Sequence, residues 1–124
     1  MNKATKRAVN KRQALRFESV FPVILSTMEF GECNAMARNI SAGGILVEVP
    51  EPMPLGTEVR VHFWMPDSQA SIIARGEVKN HYFLNFCDAS GQRSLTGMAI
   101  RFSEFEAESR ELLGLGMTRM RILH

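Results

Sequence analysis

The stretch Asn39-Ile40-Ser41-Ala42-Gly43-Gly44-Ile45-Leu46-Val47-Glu48-Val49 ends one apolar segment with a sharp break and begins another. A serine followed by two glycines is typical of a tight turn, because glycine adopts backbone conformations that other residues avoid. The turn predicts a hairpin between a strand at residues 33–40 and a strand at residues 44–49. The fold is therefore expected to be rich in antiparallel strands.

Strand patterns continue on both sides of this hairpin. Upstream, residues 20–28 are rich in apolar and β-branched side chains and predict the first strand. Downstream, three prolines within residues 50–56 remove backbone donors, which predicts a loop. Residues 57–65 then carry apolar side chains at every second position, as in a strand with one buried face.

The C-terminal half predicts two or three further strands and one helix. Residues 70–83 indicate one long strand or two strands broken at Gly76, residues 84–94 a loop, and residues 95–102 the last strand. A helix is expected over about residues 104–116. About six short strands followed by one helix predict a barrel or a sandwich, with the helix lying across an opening or a face.

The expected helix has one apolar face and two breaking signals. Leu112 and Leu113 lie near one face, so we expect that face to pack on the sheet. Gly114 and Gly116 have low helix propensity and are expected to end the helix.

The charges are distributed unevenly along the 124 residues. The net charge is +2, yet residues 1–16 carry six basic side chains and no acidic one, which leaves nine basic and thirteen acidic residues in the remainder. We expect residues 1–11 to form a flexible basic arm. A basic arm on a mildly acidic body indicates an anionic ligand or, equally, a solvated tail that aids solubility.

Several classes of protein are not supported by the sequence. No apolar run is long enough to span a membrane, and the basic N-terminus lacks the apolar stretch of a secretory signal. Metal-ligand spacings, a phosphate-binding glycine loop and a nucleophile elbow are all missing, so we do not expect an enzyme. Cys33 and Cys87 are far apart and are expected to be reduced thiols in a cytoplasmic protein.

Two motifs carry chemistry. The first is an RxxxR formed by Arg12 and Arg16, whose planar guanidinium groups can grip phosphate oxygens, meet a guanine edge or stack on a purine. The second is an NxSxxG formed by Asn39, Ser41 and Gly44, which offers an amide, a hydroxyl and a position without a Cβ atom. Each motif alone also fits an ordinary charge pair or an ordinary turn.

Together, in this order, the two motifs resemble those of the PilZ family. Strand patterns at residues 44–49, 74–78 and 97–102 are also similar to those of the family, and the resemblance covers about residues 10–115. It implies a six-stranded antiparallel PilZ-type β-barrel with a C-terminal helix and a flexible basic N-terminal arm. The expected divisions are an arm over residues 1–11 and a PilZ domain over residues 12–124, with RxxxR at residues 12–16, the barrel at about 18–102 and the helix at about 104–116.

The resemblance also implies a ligand, the bacterial second messenger cyclic di-GMP, and a role for each motif residue. Arg12 and Arg16 would bind its guanine and phosphate groups. Asn39 and Ser41 would contact a guanine from the barrel surface, and Gly44 would leave space beneath it.

Neighbouring residues extend this expected site. Lys11 and Arg7 would add attraction for the phosphates, and Gly43 belongs to the same turn as the motif. Some family members stack an aromatic side chain on a base from the end of the fifth strand. This chain has Asn80 near that position, and His81 or Tyr82 could substitute.

The expected function is a cyclic di-GMP receptor that has no catalytic activity and no cofactor, and that relays the signal to an unidentified downstream protein or through a homodimer. One alternative is a PilZ-like interaction module that does not bind nucleotide, although such relatives usually lack the two arginines. Another is a small barrel that binds single-stranded nucleic acid, which the net acidic body argues against. Neither membrane insertion nor nucleic-acid binding is expected.

Overall fold

The computed structural model describes residues 20–65 and 68–123, which form six strands followed by one helix. In chain order the elements are β1 (Phe21–Thr27), β2 (Gly31–Ser41), β3 (Gly44–Glu48), β4 (Glu58–Trp64), β5 (Ser71–Asp88), β6 (Gly91–Phe105) and α1 (Ser109–Leu123). All strand pairs are antiparallel, and they close in the order β1-β2-β3-β6-β5-β4. The expected six-stranded antiparallel barrel with a C-terminal helix is confirmed. The basic arm predicted at residues 1–11 lies outside the described residues.

The barrel closes because each strand places an apolar side chain inward at every second position. Phe63 on β4 packs against Phe21 on β1, with ring centroids 5.3 Å apart. The fully buried side chains come from all six strands and from the helix, and the largest of them are Phe63, Leu25, Ile40, Ile45, Met65, Ile72, Met98, Ile100 and Leu113.

The prediction of a loop at residues 84–94 was wrong. Strands β5 and β6 continue through this region as a hairpin, and its last residue pair is Asp88 with Gly91. Gly91 has a φ of 116°, which lets the chain reverse within two residues. Asn85, Gln92 and Ser94 of this hairpin are exposed, and polar residues of this kind resemble a loop in the sequence.

The two alternatives for residues 70–83 are also settled, because β5 is a single strand that passes through Gly76. The register shifts between Arg75 and Gly76, which marks a bulge rather than a break. A Cβ atom on Gly76 would collide with the carbonyl oxygen of Arg101, so this glycine allows β6 to approach closely.

The helix begins and ends later than predicted. Strand β6 continues to Phe105, and the chain turns at Ala107, which has a φ of 51°, before α1 begins at Ser109. The Ser109 hydroxyl accepts a hydrogen bond from the backbone N–H of Ile73 at 2.9 Å and so ties the start of α1 to β5.

Neither Gly114 nor Gly116 ends the helix. Gly114 is exposed, and Gly116 lies directly against the buried side chain of Met65 at the end of β4. Leu113 is buried in the core and Leu112 packs against it, so the predicted packing of this helix face is confirmed. Because Gly116 has no side chain, α1 can pack closely against Met65 and extend to Leu123.

Candidate ligand-binding site

The residues Asn39 and Ser41 lie on the outer face of the barrel near the end of β2. Ile40 between them points into the core, opposite Ile45 on β3. The register shifts between Ala37 and Asn39, so Arg38 occupies a bulge. Ala37 is buried in the core, and without the bulge the alternation of the strand would also turn Asn39 inward. The bulge therefore places the amide of Asn39 on the same face as the Ser41 hydroxyl.

Both side chains are held close to the sheet. Asn39 is 9% exposed and Ser41 is 5% exposed, and the Ser41 hydroxyl accepts a hydrogen bond from the backbone N–H of Gly43 at 3.3 Å. The carbonyl of Gly43 in turn accepts from the backbone N–H of Phe102 at 2.9 Å, which fastens the turn to β6. The NxSxxG turn is thus held by hydrogen bonds both within itself and to β6.

The structure gives a reason for Gly44 that the sequence did not indicate. Gly44 is buried and is paired with Arg101, and a Cβ atom on it would lie 2.5 Å from the carbonyl oxygen of Ile100. The expected role of Gly44 was to leave space for a ligand. The close approach of β3 and β6 requires glycine at this position even without a ligand.

Two rows of outward-facing residues run from this turn across β3, β6 and β5. Each row is read from the strand registers. The first contains Asn39, Leu46, Ala99 and Asn80, and the second contains Ser41, Gly44, Arg101 and Glu77. Leu46, Ala99 and Gly44 in the middle of these rows are small or half-buried and form a low floor, with the exposed Arg101 and polar side chains around it. A planar ring system fits such a floor.

Arg101 is a candidate site residue that the sequence reasoning missed. It is exposed on β6 beside Gly44 and forms no ion pair with another residue in the described ranges. Two other cations near these rows do form ion pairs, because Arg38 pairs with Glu48 at 3.4 Å and Lys79 pairs with Glu77 at 3.6 Å. The alternation of β6 in the sequence could have predicted that Arg101 faces outward. It could not have predicted that Arg101 is paired with Gly44.

The structure separates the two aromatic candidates near Asn80. The Nε2 atom of His81 lies 2.6 Å from the backbone carbonyl oxygen of Met53. The imidazole ring of His81 is therefore turned towards the proline-rich loop. Tyr82 is opposite Gly97, on the same outer face as Asn80, and is 37% exposed. Of the two, Tyr82 is therefore placed to stack on a ring at this face.

The arginines of the first motif, Arg12 and Arg16, lie outside the described residues, as do Lys11 and Arg7. Phe21 is paired with Ala37, so Val20 leads into β1 at the end of the strand pair that carries Arg38 and Asn39. The start of β1 therefore lies close to Asn39 of the NxSxxG motif.

Features of some other classes of protein are not found. Within residues 20–65 and 68–123, no group of three or more His, Cys, Asp or Glu side chains could hold a metal ion. In the same residues, no helix has the length and apolar character needed to cross a membrane. Cys33 and Cys87 are both free cysteines.

A closed six-stranded antiparallel barrel that carries a polar NxSxxG turn on its outer face and a helix at its C-terminus defines the class of this protein. The chain belongs to the PilZ domain family, whose family model matches residues 10–117. The earlier resemblance is thereby confirmed. A search of curated proteins found no match.

Several solved structures are similar. The Bacillus subtilis inhibitor of motility, MotI/DgrA, is 25% identical with a TM-score of 0.65, over 88% of this chain and 51% of that one. The PilZ domain of YcgR from Escherichia coli, solved with c-di-GMP, is 12% identical with a TM-score of 0.66, over 91% and 94%. MrkH, a c-di-GMP-dependent transcription regulatory factor, is 13% identical with a TM-score of 0.69, over 86% and 49%. The chain thus spans about half the length of MotI/DgrA and of MrkH.

Proposed function

We propose that this chain is a non-catalytic receptor for cyclic di-GMP that relays the signal to a partner protein. One observation carries the proposal: the NxSxxG turn lies on the outer face of the barrel, and β1 begins at Phe21, which is paired with Ala37 and so lies close to Asn39. The two motifs, which are more than twenty residues apart in the sequence, can therefore act on one ligand.

The distances along the chain permit this arrangement. Arg16 precedes Val20 by four residues, and an extended chain spans at most about 3.3–3.6 Å per residue, so Arg16 can act within roughly 14 Å of the barrel entry. Arg12 precedes Val20 by eight residues, so it can act within about twice that distance of the barrel entry. Both guanidinium groups can therefore be brought over the face that carries Asn39 and Ser41.

Each group has a defined chemical role in the proposal. Arg12 and Arg16 bind the phosphates in a bidentate manner and stack on the guanine faces. The amide of Asn39 and the hydroxyl of Ser41 bind the edge of a guanine. Lys11 and Arg7 strengthen the attraction for the phosphates.

The floor of the site supports the same ligand. Leu46 and Ala99 are half-buried and give an apolar surface for a purine, and Gly43 is exposed at its edge without a side chain that could obstruct entry. Arg101 adds a cation that is not engaged by a described acidic residue. A dianionic ligand is favoured at such a face because its charge is compensated on more than one side.

The similar structures support this proposal and its non-catalytic character. One of them is a PilZ domain with c-di-GMP, one is an inhibitor of motility, and one is a c-di-GMP-dependent transcription regulatory factor. Relay through a partner protein is the output that we propose for this domain.

Calorimetric titration of cyclic di-GMP into the wild type and into Arg16→Ala tests the proposal. Each lost charge-assisted hydrogen bond should cost on the order of 1.5–3 kcal/mol, so Arg16→Ala should bind roughly ten- to a hundredfold more weakly. Arg110→Ala is the matched control, because Arg110 lies on α1 over the ring of Phe105 and should leave the affinity unchanged. Cyclic di-AMP tests whether the guanine edge is recognised.

A wild type that gives no heat and no rise in melting temperature with cyclic di-GMP would contradict the receptor. The chain would then be better described as a nucleotide-independent interaction module, and pull-down experiments would follow.

A further inference from the structure

A cleft of about 590 Å³ lies apart from the NxSxxG turn, between the β1–β2 hairpin and the hairpin formed by β5 and β6. Asn34 and Met36 of β2 line one side, and Ser94 and Thr96 of β6 line the other. The cleft extends over the outer face of β1 towards Trp64 at the end of β4. It is open to solvent and is not used by the proposed ligand site.

The cleft exists because β3 is shorter than its neighbours. Strand β3 ends at Glu48, and Pro50 cannot continue its ladder. Residues 31–35 of β2 and residues 91–95 of β6 therefore have no partner strand among the described residues on the edges that face each other. Open strand edges of this kind accept an added extended segment through main-chain hydrogen bonds.

The outer face beside the cleft is apolar where a barrel surface is usually polar. Trp64 is 41% exposed and Met36 is 38% exposed. Pro22 is paired with Met36 in the β1–β2 ladder, and Ile24 follows it on the same face. A contiguous apolar patch on a small domain indicates a surface that is covered in use.

Two acidic side chains lie next to residues that line the cleft. Glu32 lies on the same face of β2 as Asn34 and Met36, and Glu51 follows the lining residue Pro50. Both side chains are exposed, and neither forms an ion pair with another residue in the described part of the chain. The cleft therefore favours an extended segment that is basic and carries some apolar side chains.

We propose that this cleft is the docking surface for the chain's own N-terminal residues 1–16 when no nucleotide is bound. This segment has six basic side chains and no acidic one, and it includes Val9 and Leu15. It is joined to the barrel at Val20, two residues before Pro22, so its local concentration at the cleft is high. Docking covers the apolar patch and compensates the two acidic side chains.

Docking also has a consequence that rests on the proposed function. Arg12 and Arg16 cannot lie in the cleft and over the NxSxxG turn at the same time. Cyclic di-GMP therefore withdraws the segment, uncovers Trp64 and Met36, and exposes an apolar surface to a partner. The coupling is reciprocal, so weakening the docked state strengthens nucleotide binding.

The first test uses Trp64, which is the single tryptophan of the chain. Acrylamide quenching of the full-length, nucleotide-free protein is measured for the wild type and for Glu32→Lys combined with Glu51→Lys. We expect quenching to increase in the variant, and to increase in the wild type with added salt, because docking is electrostatic. Glu111→Lys, an exposed charge reversal on α1, is the matched control and should behave as the wild type does. Equal quenching in all three proteins at low and high salt overturns the docking.

A second measurement locates the segment. A spin label is attached at Val9→Cys in a chain that carries Cys33→Ser and Cys87→Ser, and amide broadening is followed by NMR without nucleotide. Broadening at Asn34 and Ser94 supports the docking, whereas broadening that avoids the cleft overturns it. Neither measurement requires cyclic di-GMP, so the docking stands or falls independently of the proposed function.

Calorimetry then tests the coupling. If the segment is docked for about nine-tenths of the time, the Glu32→Lys and Glu51→Lys variant should bind cyclic di-GMP about tenfold more tightly than the wild type. An unchanged affinity in a variant whose quenching has increased would show that the coupling is wrong while the docking is correct. An absence of nucleotide binding in both proteins would contradict the proposed function alone.

Discussion

Gly44 on β3 faces Arg101 on β6, and the strands approach so closely there that a Cβ atom on Gly44 would lie 2.5 Å from the carbonyl oxygen of Ile100. We expect Gly44→Ala to lower the free energy of unfolding by about 1–3 kcal/mol, because the strands must separate. Gly43→Ala is the matched control, since nothing lies within 4 Å of its Cβ position. Urea denaturation of both variants checks the difference, and equal stabilities would contradict it.

Arg101 should contribute to nucleotide affinity through its charge. Arg101→Ala is expected to weaken cyclic di-GMP binding by on the order of 1.5 kcal/mol, roughly tenfold, because a charge-assisted contact is lost. Arg101→Lys should recover part of that loss, since the positive charge remains without the planar fork. Calorimetry at two salt concentrations measures both effects. Wild-type affinity in Arg101→Ala would remove this residue from the site.

Tyr82 should supply the stacking ring that Asn80 does not provide. It lies on the same outer face as Asn80 and is partly exposed. Tyr82→Ala is expected to weaken cyclic di-GMP binding by about 1 kcal/mol, roughly fivefold, while Tyr82→Phe keeps the ring and most of the affinity. A phenylalanine variant as weak as the alanine variant would indicate that the hydroxyl, and not stacking, is the contact.

The two helix glycines should respond in opposite directions to the same substitution. Gly114 has open space around its Cβ position, so Gly114→Ala should raise the free energy of unfolding by about 0.5–1 kcal/mol through helix propensity. Gly116→Ala gains the same propensity but displaces the buried Met65, and we expect a net loss of stability. Thermal and urea unfolding of the two variants give the signs. A stabilised Gly116→Ala variant would show that Met65 repacks freely.

The two thiols should react at different rates. Burial raises the pKa of the Cys33 thiol, because a thiolate is disfavoured away from water. Cys87 is exposed on the hairpin of β5 and β6. A chromogenic disulfide reagent at pH 8 should therefore label Cys87 first, and Cys87→Ser should remove the fast phase. The slow phase should accelerate as the pH rises further, because the fraction of Cys33 thiolate increases. A fast phase that is lost in Cys33→Ser would reverse the assignment.

Much of this fold could be predicted from local patterns in the sequence. The strand alternation, the proline-rich loop and the NxSxxG turn gave the barrel and the position of Asn39 and Ser41. The hairpin at residues 84–94 was missed because the small and polar residues from Asp88 to Ser94 also fit a loop, so the sequence did not show that both strands continue to the turn.

The remaining errors arose from tertiary contacts. Gly116 breaks an isolated helix, but here it permits contact with Met65, which no local pattern reveals. Arg101 was missed because its place beside Gly44 depends on the register between β3 and β6, and the bulges at Arg38 and Lys79 shift the registers on either side. A single sequence does not specify such register shifts.

Strand β5 connects three parts of the molecule without interruption. At Ile73 it is bound to the start of α1, at Asn80 and Tyr82 it forms one border of the proposed nucleotide site, and beyond Phe83 it becomes one arm of the hairpin with β6. Its two register shifts, after Arg75 and after Val78, are the points at which a strand changes its twist most easily. Because a bulge bends a strand and increases its twist, these two shifts set the direction in which β5 leaves its contact with α1 and reaches the hairpin tip.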